Sequence, residues 1–435
     1  METKITEQYF DPQAQRFLPD RYVEGTCPSC AYTHARGDQC DQCGKTLDPT
    51  DLVDPRSKLT GATPERRNTE HYFMLLSKLQ DQVKAWLETT EGWRPHVINW
   101  AMGVLGDEGL LDRSITRDLA WGVPIPEEFD TIGEGKRIYV WFDAVIGYLS
   151  AAMEWAQRSG DPDAWEQWWK NPDAESYYFI GKDNIPFHAL FWPAYLLGYG
   201  ELNMPTNVPA NQYVTFKGAK ASKSMGVGVP AVTYLDRYEP DGLRYALAGI
   251  LPETNDTDLT EEGMVDRINN ELVATWGNLV NRVIAMTGKY FDGVVPEVGE
   301  RDEIDEALLA TVDRVLTEEA LLIEQVELRA ALRTAMEGAS AANVYLSERA
   351  PWTTAKTDMA RTATTLRTAL DAINGLKVAL APFVPFSTAK LHGMLRMDGA
   401  IEDHGWTRQP MTAGVQLDPP APLYAKVELL EPEEA

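Results

Sequence analysis

The run Tyr213-Val214-Thr215-Phe216, which leads into Lys220-Ala221-Ser222-Lys223-Ser224 and then Met225-Gly226-Val227-Gly228, decides how the rest of the chain is read. A β-rich segment opens there into a loop with two ammonium groups, two hydroxyls and neighbouring glycines, and no acid follows until Asp236. Lysines act as point charges on phosphate, hydroxyls donate hydrogen bonds, and glycines let the backbone come close. Open α/β folds bind ligands at the carboxyl ends of their strands, so the stretch implies a polyanion site at a strand end. A solvated basic loop is the plain alternative.

Upstream lie two more apolar, β-rich runs, Ile138-Tyr139-Val140-Trp141-Phe142 and Tyr177-Tyr178-Phe179-Ile180. Each ends in a polar turn, at Asp143 and at Gly181-Lys182-Asp183-Asn184, and each is followed by a helical stretch. Strand, helix, strand, helix predicts a parallel sheet covered on both faces, with three strand ends converging on one crevice. His188 belongs to that crevice, early in a helix opened by Pro186, with Phe191 and Trp192 on the same face. A histidine among aromatics fits a pocket with one polar contact. Taken alone, a histidine of this kind is more often a core residue, and aromatics such as Trp141 and Tyr148 mostly pack.

Residues 1–115 do not read as a complete sheet domain. They hold all four cysteines, as Cys27-x-x-Cys30 and Cys40-x-x-Cys43, which suits a tetrahedral structural zinc with every position filled by a thiolate. Disulfides are the rival. Farther on, Leu76, Leu79, Val83, Trp86 and Leu87 follow a helical period. Beyond Asp258 apolar residues recur at Leu308, Val312 and Val315 and at Leu366, Leu370, Ile373 and Leu380, which predicts a helical bundle. Gly277-Asn278-Leu279-Val280-Asn281-Arg282 and Ala350-Pro351-Trp352 place polar or aromatic groups near helix ends, where capping and packing are the ordinary explanation. The stretch from Pro419 to Ala435 is rich in Pro and Glu and is expected to fray.

The 435 residues leave room for two to four domains. Forty basic against sixty-six acidic residues give a net charge of −26, which disfavours general polyanion binding and confines any nucleic-acid contact to a local surface. No apolar run has membrane-spanning length and no signal-peptide pattern opens the chain, so a cytoplasmic protein without membrane contact is expected.

In order along the chain, FLPDRYVEGTCP (ending at Pro28), ARGDQCDQCG (35–44), HYFMLLSKLQ (71–80), RDLAWGVPIP (117–126), VWFDAVIGY (140–148), GKDNIPFH (181–188), the Lys/Ser loop, WGNLVNR (276–282) and APW (350–352) resemble the methionyl-tRNA synthetase family. The Lys/Ser loop resembles the KMSKS signature of class I aminoacyl-tRNA synthetases, with Ala221 in its second place. The resemblance implies activation of methionine by ATP, with Mg²⁺, to methionyl-adenylate, then transfer to methionine tRNA. It assigns Lys220, Ser222, Lys223 and Ser224 to the loop closing on the triphosphate, Lys223 stabilising charge on the leaving pyrophosphate. Trp141, Ala144, Tyr148 and His188, with Phe191 nearby, line the methionine pocket; Asn278, Arg282 and Trp352 read the anticodon; Cys27, Cys30, Cys40 and Cys43 hold Zn²⁺. Expected divisions are a connective domain with the zinc knuckle (1–115), the second half of a Rossmann-like catalytic domain (116–212), the KMSKS region (213–265), a helical anticodon-binding domain (266–420) and an acidic tail (421–435). None of the six histidines stands in an HxGH setting. A truncated or split enzyme is therefore expected, either a fragment, the larger piece of a split enzyme whose HIGH-motif half is a separate chain, or the product of a misplaced start, and this chain alone is not expected to be active. The alternative is a non-catalytic tRNA-binding remnant. A monomer is expected.

Overall fold

The longest strands are a charged ribbon. β1 (Glu2–Asp11) and β6 (Glu65–Met74) pair antiparallel over nine residues, from Glu2 opposite Phe73 to Phe10 opposite Glu65. β2 (Arg16–Phe17) and β7 (Arg113–Ser114) complete a sheet ordered β2-β1-β6-β7. Only five of the twenty residues of β1 and β6 are buried, so their sequences show no apolar alternation and did not announce this four-stranded sheet within residues 1–115. Between these strands sits the knuckle, a sheet ordered β4-β3-β5 from β3 (Val23–Thr26), β4 (Ala35–Arg36) and β5 (Val53–Ser57). Its register shifts between Glu24 and Thr26, at Gly25, where a Cβ would stand 2.9 Å from the carbonyl of Val53.

The computed structural model describes residues 1–37, 40, 42–43, 47–107, 109–133, 135–216, 218–220 and 228–429. The chain divides into two units, 1–210 and 211–435. The predicted helical period from Leu76 is present as a 3₁₀ turn (Leu76–Leu79) running into α1 (Gln80–Leu87), with Leu76, Val83 and Leu87 buried. α2 (Pro95–Asp107) packs beside it. β8 (Thr116–Asp118) and β9 (Lys136–Ile138) form an antiparallel pair, pinned from within by Asp118. That carboxylate accepts from Lys136 Nζ and Thr69 Oγ1, both at 2.7 Å, and lies 3.2 Å from His71 Nε2. α3 (Val140–Ser159), the short α4 (Glu166–Trp169), β10 (Ile180–Gly181), a π-helical turn (Pro186–Phe191) and α5 (Trp192–Tyr199) complete the first unit.

Two predicted strands change here. Ile138 ends β9, and Val140, Trp141 and Phe142 open α3 instead of extending the strand. Their β propensity yields because a helix turns Trp141, Ala144 and Tyr148 onto one face. The Tyr177–Ile180 run contributes a parallel bridge, Tyr177 to Asn207, and β10.

β11 (Ala210–Asn211) spans the division between the units. In the second unit β12 (Val214–Phe216) is the predicted strand; it pairs antiparallel with β13 (Ala219–Lys220) and parallel with β14 (Thr257–Asp258). α6 (Ala231–Leu235) and α7 (Pro240–Gly249) lie between β13 and β14. The chain is then helical from α8 (Glu261–Arg267) through a π-helical stretch (Ile268–Gly277) into α9 (Asn278–Phe291). The predicted bundle follows, as α10 (Glu303–Glu324), α11 (Leu328–Arg349), α12 (Pro351–Thr354), α13 (Met359–Leu380) and α14 (Pro385–Met394). Leu308, Val312, Val315, Leu370, Ile373 and Leu380 are buried in one core, and Leu366 is buried as well. α10, α11 and α13 approach closely because Gly338 and Gly375 carry no side chain: a Cβ would lie 2.4 Å from Leu376 and 2.6 Å from Val312, respectively.

The tail does not fray through residue 429. Leu423 is buried, Tyr424 meets Ser387 Oγ at 2.5 Å, and Asn269 makes two hydrogen bonds with the Val427 backbone, at 2.8 and 3.0 Å. Buried apolar and hydrogen-bonded groups overrode a disorder-like composition; residues 430–435 lie outside the described ones. No described helix is long and apolar enough to cross a membrane.

Candidate functional site

Trp141, Ala144 and Tyr148 stand on one face of α3 at helical spacing, and His188 comes from the π-helical turn. All four line one cavity of about 320 Å³, within the range of small-molecule sites. The π-helical turn, a widening often found at functional sites, also brings Phe187 to the cavity. Trp141 and Phe187 stack at 5.1 Å between ring centres.

His188 is 5% exposed and held at both nitrogens. Its Nδ1 lies 3.0 Å from the Asn184 carbonyl, and its Nε2 lies 2.8 Å from the Tyr148 hydroxyl. A carbonyl only accepts, so Nδ1 carries the hydrogen and Nε2 receives the Tyr148 hydroxyl proton. Burial pushes His188 below the ordinary imidazole value, outweighing the Asn184 carbonyl, and raises Tyr148. Both groups are therefore neutral and mutually oriented. Behind them Trp192 Nε1 donates to the Tyr178 hydroxyl at 3.0 Å, and Tyr178 meets the Tyr148 ring edge-on.

Sequence reasoning missed Phe179, Phe187 and Asn184 as wall residues. Phe191, expected beside His188, packs on Phe187 instead, because a π-turn rotates it off the α-helical face. Of the Lys/Ser loop, Ser222, Lys223 and Ser224 lie outside the described residues, and Lys220 is described in its backbone alone, ending β13.

The four cysteine sulfurs lie within 4.8 Å of one another. Cys27 to Cys43 is 3.9 Å and Cys30 to Cys40 is 3.5 Å, far beyond a disulfide bond. A tetrahedron of sulfurs about 2.3 Å from zinc has edges of roughly 3.8 Å, so the donor set fits. Burial raises Cys27, yet the amides of Ser29 and Cys30 and the neighbouring thiols bring it down to about 7. At Cys30 the Tyr32 amide favours the thiolate, but burial and the three other sulfurs push the thiol up to about 12. Several thiolates crowded together call for a cation. The cluster is compatible with structural zinc.

In the second unit Asn278 and Arg282 lie one turn apart on α9, and the Arg282 guanidinium sits 5.6 Å from the centre of the Trp352 ring. Trp352 is 40% exposed, while Pro351 before it is buried. The ring is thus anchored but presented to solvent, unlike a core tryptophan.

Residues 1–284 match the family model described as tRNA synthetases class I (M), and residues 295–434 match that of the anticodon binding domain of methionyl tRNA ligase. An α/β catalytic unit of class I joined to a helical anticodon domain defines an aminoacyl-tRNA synthetase. The methionine–tRNA ligase of Thermobifida fusca is 44% identical over 471 residues, 98% of this chain and 77% of the relative. That of Roseiflexus sp. is 47% identical over 446 residues, 95% of this chain and 75% of the relative. The structure of Mycobacterium tuberculosis methionyl-tRNA synthetase bound by methionyl-adenylate superposes with a TM-score of 0.77 at 26% identity, covering 98% of this chain and 77% of that one. The chain belongs to the methionyl-tRNA synthetase family. These relatives are ligases, so the non-catalytic remnant finds no support among them.

Proposed function

We propose that the cavity lined by Trp141, Ala144, Tyr148 and His188 receives the side chain of methionine, which ATP with Mg²⁺ converts to methionyl-adenylate for transfer to methionine tRNA. The supporting observation is that these four residues, drawn from two distant stretches, line one aromatic cavity. A polarisable thioether suits aromatic walls, and Tyr148, its hydrogen committed to His188, keeps lone pairs for a donor on the substrate. In this proposal Lys220, Ser222, Lys223 and Ser224 close on the triphosphate, with Lys223 stabilising charge on pyrophosphate as it leaves. Zn²⁺ on Cys27, Cys30, Cys40 and Cys43 holds the knuckle together and takes no part in the chemistry. Asn278 and Arg282 hydrogen-bond exposed anticodon bases, and Trp352 stacks on one. The expected connective (1–115), catalytic (116–212), KMSKS (213–265) and anticodon-binding (266–420) divisions go with these roles. The enzyme works as a monomer in the cytoplasm.

Two measurements on the full chain test this. Calorimetry should detect methionine binding, weakened roughly three- to tenfold by Trp141→Ala as one aromatic wall is lost. No binding, or unchanged binding in the folded variant, overturns the pocket. At fixed low salt a methionine tRNA should bind more tightly than one with an altered anticodon. Trp352→Ala should lower that affinity roughly five- to a hundredfold, the loss of ~1–3 kcal/mol of stacking. Equal binding of the two tRNAs overturns anticodon reading.

A further inference from the structure

The helix that presents Asn278 and Arg282 begins well upstream of them. From Glu261 to Phe291 it is continuous, through α8, the π-helical stretch and α9, and α11 runs beside it. Arg267 and Arg329 border one recess of about 290 Å³. Thr275 and Ser340 border a second, of about 350 Å³, and both recesses share Tyr245, Glu271, Arg333 and Met336. Farther along, Asn343 Nδ2 donates to the Thr275 carbonyl at 2.9 Å, and beyond that Arg282 meets Trp352. Residue numbers rise together on the two sides, so the helices run in the same direction. The two recesses form one furrow between them, whose head at Arg267 lies roughly 20 Å along the helical rise from Arg282 and the Trp352 site.

Charge along this furrow departs from that of the chain. The whole carries −26, yet the head of the furrow holds Arg267, Arg329 and Arg333. Glu271 neutralises Arg267 at 3.3 Å and accepts from the Tyr245 hydroxyl at 2.9 Å. Arg329 and Arg333 are exposed, one turn apart on α11, and their guanidiniums form no ion pair among the described residues. Glu337 borders only the second recess. Guanidinium forks match phosphate oxygens in pairs, and a protein this acidic can hold a polyanion only where its cations are gathered and unspent.

We propose that Arg329 and Arg333, backed by Arg267, form a track for phosphodiester groups that seats the sugar-phosphate backbone of a tRNA stem while Asn278, Arg282 and Trp352 meet its bases. This rests on the anticodon reading proposed above and adds to it the surface that positions the stem. Backbone contacts set register without reading sequence, so the track and the Trp352 site divide affinity from selectivity.

The test is the salt dependence of tRNA binding to the full chain, measured by fluorescence anisotropy with a methionine tRNA and with an anticodon-altered one. Arg329→Gln/Arg333→Gln should lower the slope of log K against log salt by roughly 1 for each arginine, equally for both tRNAs, and leave their affinity ratio unchanged. Arg329→Lys/Arg333→Lys keeps the charge and should keep most of the slope, which separates a phosphate contact from a folding defect. An unchanged slope in the glutamine variant, or a slope lost equally in both variants, overturns the track. If the wild-type protein shows no anticodon preference, the reading beneath the proposal fails, while the slope still decides the track itself.

Discussion

Tyr148 and His188 hold one another in a single protonation state. Tyr148→Phe removes the donor to Nε2 and leaves a buried ring nitrogen without a partner, a loss of about 1–3 kcal/mol. The variant should melt earlier and bind methionine more weakly; unchanged methionine affinity would detach this pair from the pocket. Burial also lowers His96 and His392. Each of the three folded histidines takes up its proton at lower pH than the unfolded chain, whose ordinary value is 6.5. The unfolded state then binds more protons below about 6.5, so stability falls as pH drops through and below that value. The buried Glu319 carboxyl pulls the other way over this range, so the histidine term is read as a difference: between pH 7.5 and 5.5, denaturant titrations should show His188→Asn losing less stability than the parent, and an equal change in both counts against a buried neutral ring.

Two elements carry predictions of their own. The knuckle should bind one Zn²⁺ per chain, and Cys40→Ser should lower both zinc content and melting temperature. Metal-free protein that elemental analysis and melting show to be fully folded would refute it. In α10, Glu319 is fully buried and neither carboxylate oxygen has a hydrogen-bond partner among the described residues. Desolvation raises it to about 9 from its ordinary 4.5. The folded carboxyl therefore keeps its proton between those values while the unfolded one loses it, and stability falls as pH rises from 4.5 towards 9. At pH 7 that amounts to roughly 3 kcal/mol, which Glu319→Gln should recover, with little gain at pH 4. An equal effect at both pH values would show that Glu319 is not held protonated.

At the scale of the whole molecule, neither unit carries a histidine pair in an HxGH setting. Methionine-dependent pyrophosphate exchange by these 435 residues tests what holds the triphosphate, since each contact to a developing charge is worth about 2–4 kcal/mol and exchange at background would mean that such contacts are lacking. Robust exchange would mean that other groups of this chain bind the triphosphate.

Sequence alone determined whatever depends on residue type at short spacing. The paired CxxC motifs announced four converging thiolates, and the 3.6-residue period announced the bundle, since Leu308, Val312 and Val315 can share a face only in a helix. Trp141, Ala144, Tyr148 and His188 were reached through the motifs that contain them. Tertiary structure decided what depends on partners distant in the chain. Val140–Phe142 became helix against local β propensity, which sets Trp141 and Tyr148 together on the cavity. The π-turn at Pro186–Phe191 set Phe187 on the cavity and moved Phe191 off it. β1 and β6 found each other across more than fifty residues with no apolar alternation to announce them, and the tail through residue 429 was fixed by Asn269 and Ser387. Propensity and period are properties of neighbours, whereas burial and hydrogen-bond satisfaction belong to the folded whole.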